Sequence, residues 1–555
     1  MSKKVWLTGL AVFGVMLVAV GFRFYDVTHY PPGLFPDEAA NGEDALLILA
    51  GDYRPFYPRG NGREALFLYL DALSIKLLGI GVWQLHVVSA MGGVLSVLAM
   101  YFAARVWFGR LAGVLAALFL ATSYWHVTLS RTGFRAILIP LFVAAFTALV
   151  GYAIAAVKQD RRGLSYVYAA LAGAALAGGF YTYIAYRVMA GVILGVFVLW
   201  LLAAAHPKIG FPHFKRYGWQ IAIGAVVAVL VLMPLGLYFW QHPGDFVGRA
   251  GQVSVFNKNL QEEFGGGELL PTLAYTTRVT VVSFFAGLGD MNWRHNVAGF
   301  PLLNPLLGLL FLLGLAWAVH GTVMVVNKIL RGQEVHMGMI FPYSLLILFG
   351  MLLPVITTAQ DLPHGLRSVG LIFPIFLLAG TAGAVVAHWC WQRLLSDVSF
   401  GLCRGLVVGL VLLGVLYDGA LYFGVARNDP GAHYAYRADL TEVARWLNSN
   451  QGRPYLVLDK FSLQTVHFLT SVAAHEHAVG DEAHPDEQWH KWRQVDPGAS
   501  RLIGLEPGET IVFTQSTIVD ADRYQEINPG VELVERKVNR FGQEIMRVYG
   551  PKRGG

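Results

Sequence analysis

The fold is decided by VWLTGLAVFGVMLVAVGFRF at residues 5–24 and by the segment that follows at residues 31–64, PPGLFPDEAANGEDALLILAGDYRPFYPRGNGRE. A helix needs about 20 apolar residues to cross a hydrocarbon core of about 30 Å, and the first segment meets that need. Seven acids lie between Asp26 and Glu64. A carboxylate-rich loop directly after a membrane span is the best candidate for chemistry at the boundary between water and lipid.

The composition of the whole chain is that of a polytopic membrane protein. Apolar residues make up 55% of the chain, mean hydropathy is +0.50, and only 14% of residues are charged, against about 25% in soluble domains. The net charge of +6 would suggest a nucleic-acid partner in a soluble protein. Here the excess Lys and Arg lies mostly in short loops between apolar runs, so we interpret it as membrane topology and expect no nucleic-acid partner.

Apolar runs of span length recur up to about residue 425. Lys3 and Lys4 precede the first run as in a signal peptide, but no small-residue cleavage site follows, so we expect this span to be retained. The pattern predicts about eleven spans. They cover residues 5–24, 83–104, 110–127, 136–157, 164–183, 188–205, 219–240, 301–326, 340–358, 367–390 and 404–424.

The orientation depends on residues 65–80, ALFLYLDALSIKLLGI, which are apolar but short and contain Asp71 and Lys76. If this segment lies at the interface without crossing, every basic loop falls on the N-terminal side, as the positive-inside rule requires. We therefore predict a cytoplasmic N-terminus and an extracytoplasmic C-terminus, with outer segments at 25–82, 128–135, 181–187, 241–300 and 359–366 plus Arg367. The basic loop residues are Arg105, Arg110, Lys158, Arg161, Arg162, Lys208, Lys215, Arg216, Lys328, Arg331, Arg393 and Arg404.

The composition changes after residue 425. DLTEVARWL has helical periodicity, whereas YLVLDKF, TIVFTQS, VELVERKVN and EIMRVYG have the composition of strands. We predict a transmembrane domain at residues 1–425 and a small soluble α/β domain at residues 426–555.

Asp37 and Glu38 are the first candidates for catalysis in the acidic loop. An ionised carboxylate can accept a proton at neutral pH, and partial desolvation raises its basicity. Pro36 favours an extended or turn backbone, from which both side chains would project. The alternative is that these acids only solvate an exposed loop.

Three arginines in the predicted outer segments are candidates for an anion site. Arg131 and Arg135 follow an apolar span, and Arg367 begins another. A guanidinium matches phosphate oxygens in a bidentate fork, so a lipid phosphate would account for cations on this side of the membrane. Snorkelling of each side chain to the headgroups is the alternative.

These features together resemble the GT-C glycosyltransferases, and within them the protein mannosyltransferase and lipid A aminoarabinose transferase group. The resemblance covers roughly residues 5–425. It lies in the order of one span, a long outer loop with Asp37-Glu38, ILAGDYRPFYPRGNGREALFLYL at 48–70, SRTGFR at 130–135, and HGLRSVGLIFPIF at 364–376 entering a span.

The resemblance implies a fold, a donor and roles for several residues. The donor would be a polyprenyl-phosphate sugar, with Asp37 as the base that takes the acceptor hydroxyl proton and Glu38 supporting it. Attack on the anomeric carbon would invert its configuration. Arg131, Arg135 and Arg367 would offset the charge that develops on the departing lipid phosphate.

Two departures from the family pattern affect these expectations. Relatives often have Lys-Pro-Pro or His-Pro-Pro after the first loop, where this chain has Gly62-Arg63-Glu64-Ala65; Arg63 would replace the cation, and Glu64 adds an acid. Relatives also commonly have a second acid in the next outer segment, where SRTGFR has none. Because divalent cations need several oxygen ligands, we expect no cofactor and do not favour a metal.

Two further segments contain candidate substrate ligands. Arg294 and His295, in Asn292-Trp293-Arg294-His295-Asn296, would contact sugar or phosphate, or anchor an aromatic belt. His364 precedes Arg367 and would assist the leaving phosphate, or be structural. The tyrosines near Arg187 fit a substrate-lining turn or an interfacial belt, and the belt is favoured.

The sequence thus predicts a membrane glycosyltransferase that acts on the extracytoplasmic face. The acceptor could be a protein, a glycolipid or a cell-wall polymer, and the C-terminal domain could bind it. A lipid-linked sugar transporter or flippase is the competing class, but such proteins usually have repeated halves and polar sites at mid-membrane. A non-catalytic scaffold of the same fold is the third possibility.

Overall fold

The computed structural model describes residues 3–205, 212–247, 254–287, 289–333, 335, 337–393, 397–450, 452–471 and 492–552. Lys208, one of the predicted loop cations, lies outside the described residues. In chain order, helices α1 to α21 are Lys3–Phe24, Pro36–Leu49, Leu66–Leu78, Val82–Phe108, Arg110–Thr122, Tyr124–Arg131, Leu138–Lys158, Arg162–Gly179, Val188–Ala205, Pro212–Gln241, Pro243–Val247, Lys258–Gly265, Leu269–Ser283, Pro305–Leu330, Ile340–Ile356, Ile372–Arg393, Asp397–Gly419, Pro430–Ala435, Ala438–Ser449, Lys460–Thr470 and Ile518–Ile527.

The chain divides into two compact units. Unit 1 contains Met1–Tyr25, Arg54–Phe67 and Ser89–Ala426, whereas unit 2 contains Asp26–Tyr53, Leu68–Val88 and Arg427–Gly555. Unit 2 therefore includes the predicted C-terminal domain from Arg427 onward and, in addition, the part of the first loop that carries Asp37 and Glu38.

The protein is a multi-span membrane protein. Among the described residues, nine helical segments are long and apolar enough to cross a membrane. The spans predicted at 110–127 and 164–183 are not among them. These nine segments are Val5–Phe24, Val82–Phe108, Arg135–Lys158, Ile184–Leu202, Arg216–Gln241, Pro305–Leu330, Met337–Ile356, Arg367–Cys390 and Gly405–Asn428.

The predicted span at 110–127 is a bent pair, α5 and α6, with a 60° angle between the two helices. Ser123 lies at the break, and its hydroxyl accepts from the backbone N–H of His126 at 3.5 Å, so that it caps the second helix. Counted as one span, this pair raises the number to ten. The predicted span at 164–183 is helix α8, which begins at Arg162 and has polar residues in its first turns.

The ambiguous apolar segment at 65–80 forms helix α3, which is only 13 residues long. At about 1.5 Å per residue it is roughly 20 Å long, too short to cross a core of about 30 Å. Its length supports the prediction that this segment does not cross the membrane. The orientation that depends on it remains a prediction.

Unit 2 contains a five-stranded sheet of β3 to β7, which are Tyr455–Val457, Arg493–Val495, Ile511–Thr514, Val531–Val538 and Glu544–Pro551. The strand order is β4-β3-β5-β7-β6. A separate two-stranded pair, β1 (Phe56–Tyr57) and β2 (Arg63–Glu64), lies in unit 1. Strand β3 is parallel to β4 and β5, and β7 is antiparallel to β5 and β6.

Alternate residues of the sheet belong to different cores, as the period of two of a strand requires. Leu456 and Val512 pack with α19 and α20. Val457 and Phe513 pack on the other face with α21. Helices therefore cover both faces, and the small α/β domain predicted from the sequence is confirmed.

The backbone predicted for Asp37 and Glu38 was wrong. Both residues lie in the first turn of α2, not in an extended or turn segment. Pro36 occupies the first turn, where its missing N–H leaves no hydrogen bond unmade. The two acids next to it are favourable because the N-terminus of a helix carries partial positive charge.

Candidate active site

Asp37 and Glu38 are adjacent in α2, but their environments are opposite. Asp37 is exposed and makes no hydrogen bond or ion pair with any residue that the structure describes. Glu38 is 1% exposed, and its Oε2 lies 2.8 Å from Nε2 of His86 in α4. Asp37 is therefore open to a reactant, whereas Glu38 fixes α2 to α4.

A third acid, Asp71 of α3, lies in the same unit. Its side chain is fully buried, and neither carboxylate oxygen has a hydrogen-bond partner among the described residues. Burial raises the pKa of Asp71 well above its usual value, and the nearby charge of Glu38 raises it further. The protonated form is therefore favoured.

Glu64 is the centre of an ionic cluster in unit 1. Its carboxylate lies 3.2 Å from Nη1 of Arg135 and 3.4 Å from Nη2 of Arg187. Gly62, with φ of +91°, allows the turn that leads into β2, where Glu64 and the buried Arg63 lie. Tyr183 also lines the small cavity around this cluster.

A second polar cluster in unit 1 surrounds Asp290. Its Oδ2 lies 2.9 Å from Nδ1 of His295 and accepts from the backbone N–H of Gly365 at 2.7 Å. The rings of His295 and His364 stack with centroids 4.4 Å apart. Burial lowers the pKa of both histidines well below the usual value, and the charge of Arg367 lowers them further. Both imidazoles are therefore neutral at neutral pH.

The structure brings three separately predicted outer segments together around this cluster. Trp125 Nε1 donates to the Gly365 carbonyl at 3.1 Å. The hydroxyl of Thr132 donates to the carbonyl of Arg294 at 3.4 Å, and the guanidinium of that arginine lies 5.8 Å from the ring centroid of Phe134. Segments 128–135, 290–296 and 364–367 thus form one surface.

Arg131 is not brought to this surface. Its side chain is fully buried, and Nη1 donates to the carbonyls of Phe22 and Arg23 at 3.2 and 2.8 Å. The ring of Tyr422 lies 5.5 Å from its guanidinium. Arg131 therefore binds the end of α1, which is how a membrane protein accommodates a buried cation.

Arg367 is half-buried, and its Nη1 donates to the carbonyl of Gln360 at 2.5 Å. Two members of these clusters were not predicted as site residues. Arg187 was assigned to an aromatic belt, and its guanidinium does lie 4.5 Å from the ring centroid of Phe246, but it also binds Glu64. Asp290 was not singled out. The available signal was its position two residues before Asn292, which is typical of a turn in which an Asp side chain binds the backbone.

Asp290, His295 and His364 have ligand atoms within 4.8 Å of one another, a spacing that a metal ion could use. The surroundings argue against a divalent cation. Both oxygens of Asp290 already accept backbone N–H groups. The positive charges of Arg294 and Arg367, which act on both histidines, would repel a cation.

No family model matches this sequence, and no curated protein matches it. Several solved structures do share its fold. ArnT from Cupriavidus metallidurans bound to undecaprenyl phosphate is 14% identical with a TM-score of 0.51, and the match covers 99% of this chain and 98% of ArnT. Archaeal oligosaccharyltransferase AglB from Archaeoglobus fulgidus, in complex with an inhibitory peptide and a dolichol-phosphate, is 13% identical with a TM-score of 0.53, covering 100% of this chain and 75% of AglB.

ArnT is a lipid A aminoarabinose transferase, and both it and AglB are GT-C membrane glycosyltransferases. At these identities the likeness concerns the fold. The match extends over nearly the whole chain, including the C-terminal domain. The chain thus has the GT-C fold, as its resemblance to that superfamily predicted.

Proposed function

We propose that the protein transfers a sugar from a polyprenyl-phosphate donor to an acceptor hydroxyl on the extracytoplasmic face of the membrane. The fold supports this class of reaction, because ArnT was solved with undecaprenyl phosphate and AglB with a dolichol-phosphate. The observation that carries the proposal is the convergence of Arg294, His295, His364 and Arg367 on one surface of unit 1.

In this proposal the surface binds the phosphate of the lipid donor. Guanidinium groups donate hydrogen bonds to phosphate oxygens, and so can His364, whose Nδ1 accepts from the backbone N–H of Arg367 so that Nε2 carries the proton; the guanidinium charge stabilises the charge that develops as the phosphate leaves. Neutral His295 gives its one N–H to Asp290 and lines the surface. Arg135 and Arg187 add two further positive charges in unit 1, and Glu64 forms an ion pair with each of them. Arg63 is the proposed replacement for the family cation.

Asp37 is the proposed general base. Its carboxylate takes the proton of the acceptor hydroxyl as the hydroxyl oxygen forms a bond to the anomeric carbon. The bond from that carbon to the phosphate oxygen breaks, and the polyprenyl phosphate leaves with the electron pair. One displacement at the carbon inverts its configuration. Glu38 is buried against His86 and supports the helix that carries the base.

The transfer is proposed to need no metal or other cofactor, because the guanidinium groups supply the positive charge. Full loss of turnover in a chelator, restored by a divalent cation, would contradict this. The acceptor class is a protein, a glycolipid or a cell-wall polymer, and the sugar is a hexose or pentose. The proposed orientation places the N-terminus in the cytoplasm and the C-terminal domain outside.

The test is an assay of purified protein with labelled polyprenyl-phosphate sugars and a membrane extract as the source of acceptors. Native protein and Asp37→Asn are compared, with Asp52→Asn in the same loop as the isosteric control. Removing the charge of a general base should lower turnover on the order of 10²- to 10⁴-fold. Equal turnover by native protein and Asp37→Asn would reject the assigned base. No transfer from any donor would favour the transporter or scaffold alternative.

A further inference from the structure

We propose that the C-terminal domain positions the helix that carries Asp37, and so contributes to the rate of transfer. This inference rests on the proposed function. It is based on which segments form unit 2: α2 and the residues before it belong to the same compact unit as Arg427–Gly555. Three sets of contacts within that unit carry the argument.

The first set fixes the backbone three residues before Asp37. The N–H of Leu34 donates to the hydroxyl of Thr441 at 3.3 Å, and its carbonyl accepts from the hydroxyl of Thr465 at 3.0 Å. Both threonines and Leu34 are buried. Two hydrogen bonds from α19 and α20 therefore hold the chain where it enters α2, and a buried bond of this kind is costly to leave unmade.

The second set is a close approach of backbones at Gly33. A Cβ atom on Gly33 would lie 2.5 Å from the carbonyl oxygen of Tyr436 and 2.6 Å from the backbone nitrogen of Ala438. Backbone atoms inside a packed unit yield little, so any side chain here would separate the entry to α2 from the C-terminal domain. Only glycine fits this position.

The third set lies further along α2. Oε1 of Glu43 is 2.8 Å from Nδ1 of His467 in α20. Gly42 packs on the ring of Phe468, whose nearest atom would be 2.5 Å from a Cβ. The entry of α2 and its middle therefore both contact the C-terminal domain.

Glu38 binds His86 of α4 within the same unit. Helix α2 is thus held by α4 through Glu38 and by α20 through Glu43, while Asp37, which lies between Leu34 and Glu38, is left exposed. A reacting group that is misplaced by about 1 Å can lose on the order of 10²-fold in rate. The residues of the domain that hold α2 are positioning residues, because none of them is proposed to touch the substrate.

The experiment uses the full chain in the transfer assay with three changes at these contacts, Gly33→Ala, Glu43→Gln and His467→Ala. Gly498→Ala is the matched control, because nothing lies within 4 Å of a Cβ at that glycine of the same domain. We expect kcat to fall about 10-fold or more in Gly33→Ala and less in Glu43→Gln. We expect the affinity for the polyprenyl phosphate to stay within about twofold, because the proposed phosphate ligands belong to unit 1.

His467→Gln, which can still donate a hydrogen bond to Glu43, should recover part of the kcat lost in His467→Ala. Thermal unfolding of each variant identifies any variant that fails to fold; in that case the Glu43 and His467 variants, which introduce no clash, decide the test. Unchanged kcat in those folded variants, with Asp37→Asn inactive, would overturn this inference and leave the proposed function intact. Full activity of Asp37→Asn would instead remove the proposed base.

Discussion

The two polar clusters of unit 1 and the acidic helix of unit 2 differ in how their acids are paired. In unit 1, Glu64 binds Arg135 and Arg187, and the buried Asp290 binds His295. In unit 2, the buried Glu38 is bound by His86, but the neighbouring Asp37 is exposed. The contrast indicates that the pairs named here fix the structure of the two regions, whereas Asp37 is held on its helix without being paired.

The largest effect that would sharpen this comparison is expected at Arg367. Replacing Arg367 with Ala removes a proposed donor to the departing phosphate, and turnover should fall on the order of 10²- to 10³-fold. Arg278→Ala is the control, because Arg278 is an exposed arginine of the same unit. Steady-state kinetics with a polyprenyl-phosphate sugar measure the effect. Equal losses of turnover in the two variants, or no loss in Arg367→Ala, would contradict the proposed role of Arg367.

A smaller effect is expected at Asp71, whose pKa is raised by burial and by Glu38. Because the pKa is higher in the folded state, the unfolded state releases its proton first as the pH rises, so the free energy of unfolding falls above the unfolded pKa of about 3.9. Asp71→Asn has no titratable group at this position, so this fall in the free energy of unfolding is absent from the variant. We expect its Tm to exceed that of the native protein at pH 8, by a margin that shrinks towards pH 4.

The native Tm, measured in the same detergent across this range, is the reference for Asp71→Asn. A Tm advantage that is independent of pH would mean that packing, and not proton release, explains the change. A lower Tm at every pH would mean that the carboxyl group has a partner that Asn cannot replace.

Much of the fold follows from the sequence, because hydropathy and strand periodicity are local signals. Hydropathy predicted most of the spans. Helical periodicity at Asp439 to Leu447 and the strand patterns that follow predicted the α/β domain. The sharp bend at Ser123 lies where one side chain caps the second helix. The bend lies within a continuous apolar run, so hydropathy alone does not reveal it.

The site was predictable only in part. Residue type and order brought Arg135, Arg294, His295, His364 and Arg367 into consideration, and the structure places their segments in unit 1. Sequence could not tell that Glu38 is buried while Asp37 is exposed, because that difference is created by α4 packing on α2. It also could not tell that Leu34 and Thr441, more than 400 residues apart in the chain, lie in one compact unit.

The most direct test of the account is an experimental structure of the full chain with a bound polyprenyl phosphate. The account predicts that the phosphate lies on the surface formed by Arg294, His295, His364 and Arg367, with guanidinium nitrogens within hydrogen-bond distance of its oxygens, about 2.7–2.9 Å. A phosphate bound elsewhere in the membrane-spanning part, with none of these four side chains within hydrogen-bond distance of its oxygens, would contradict it.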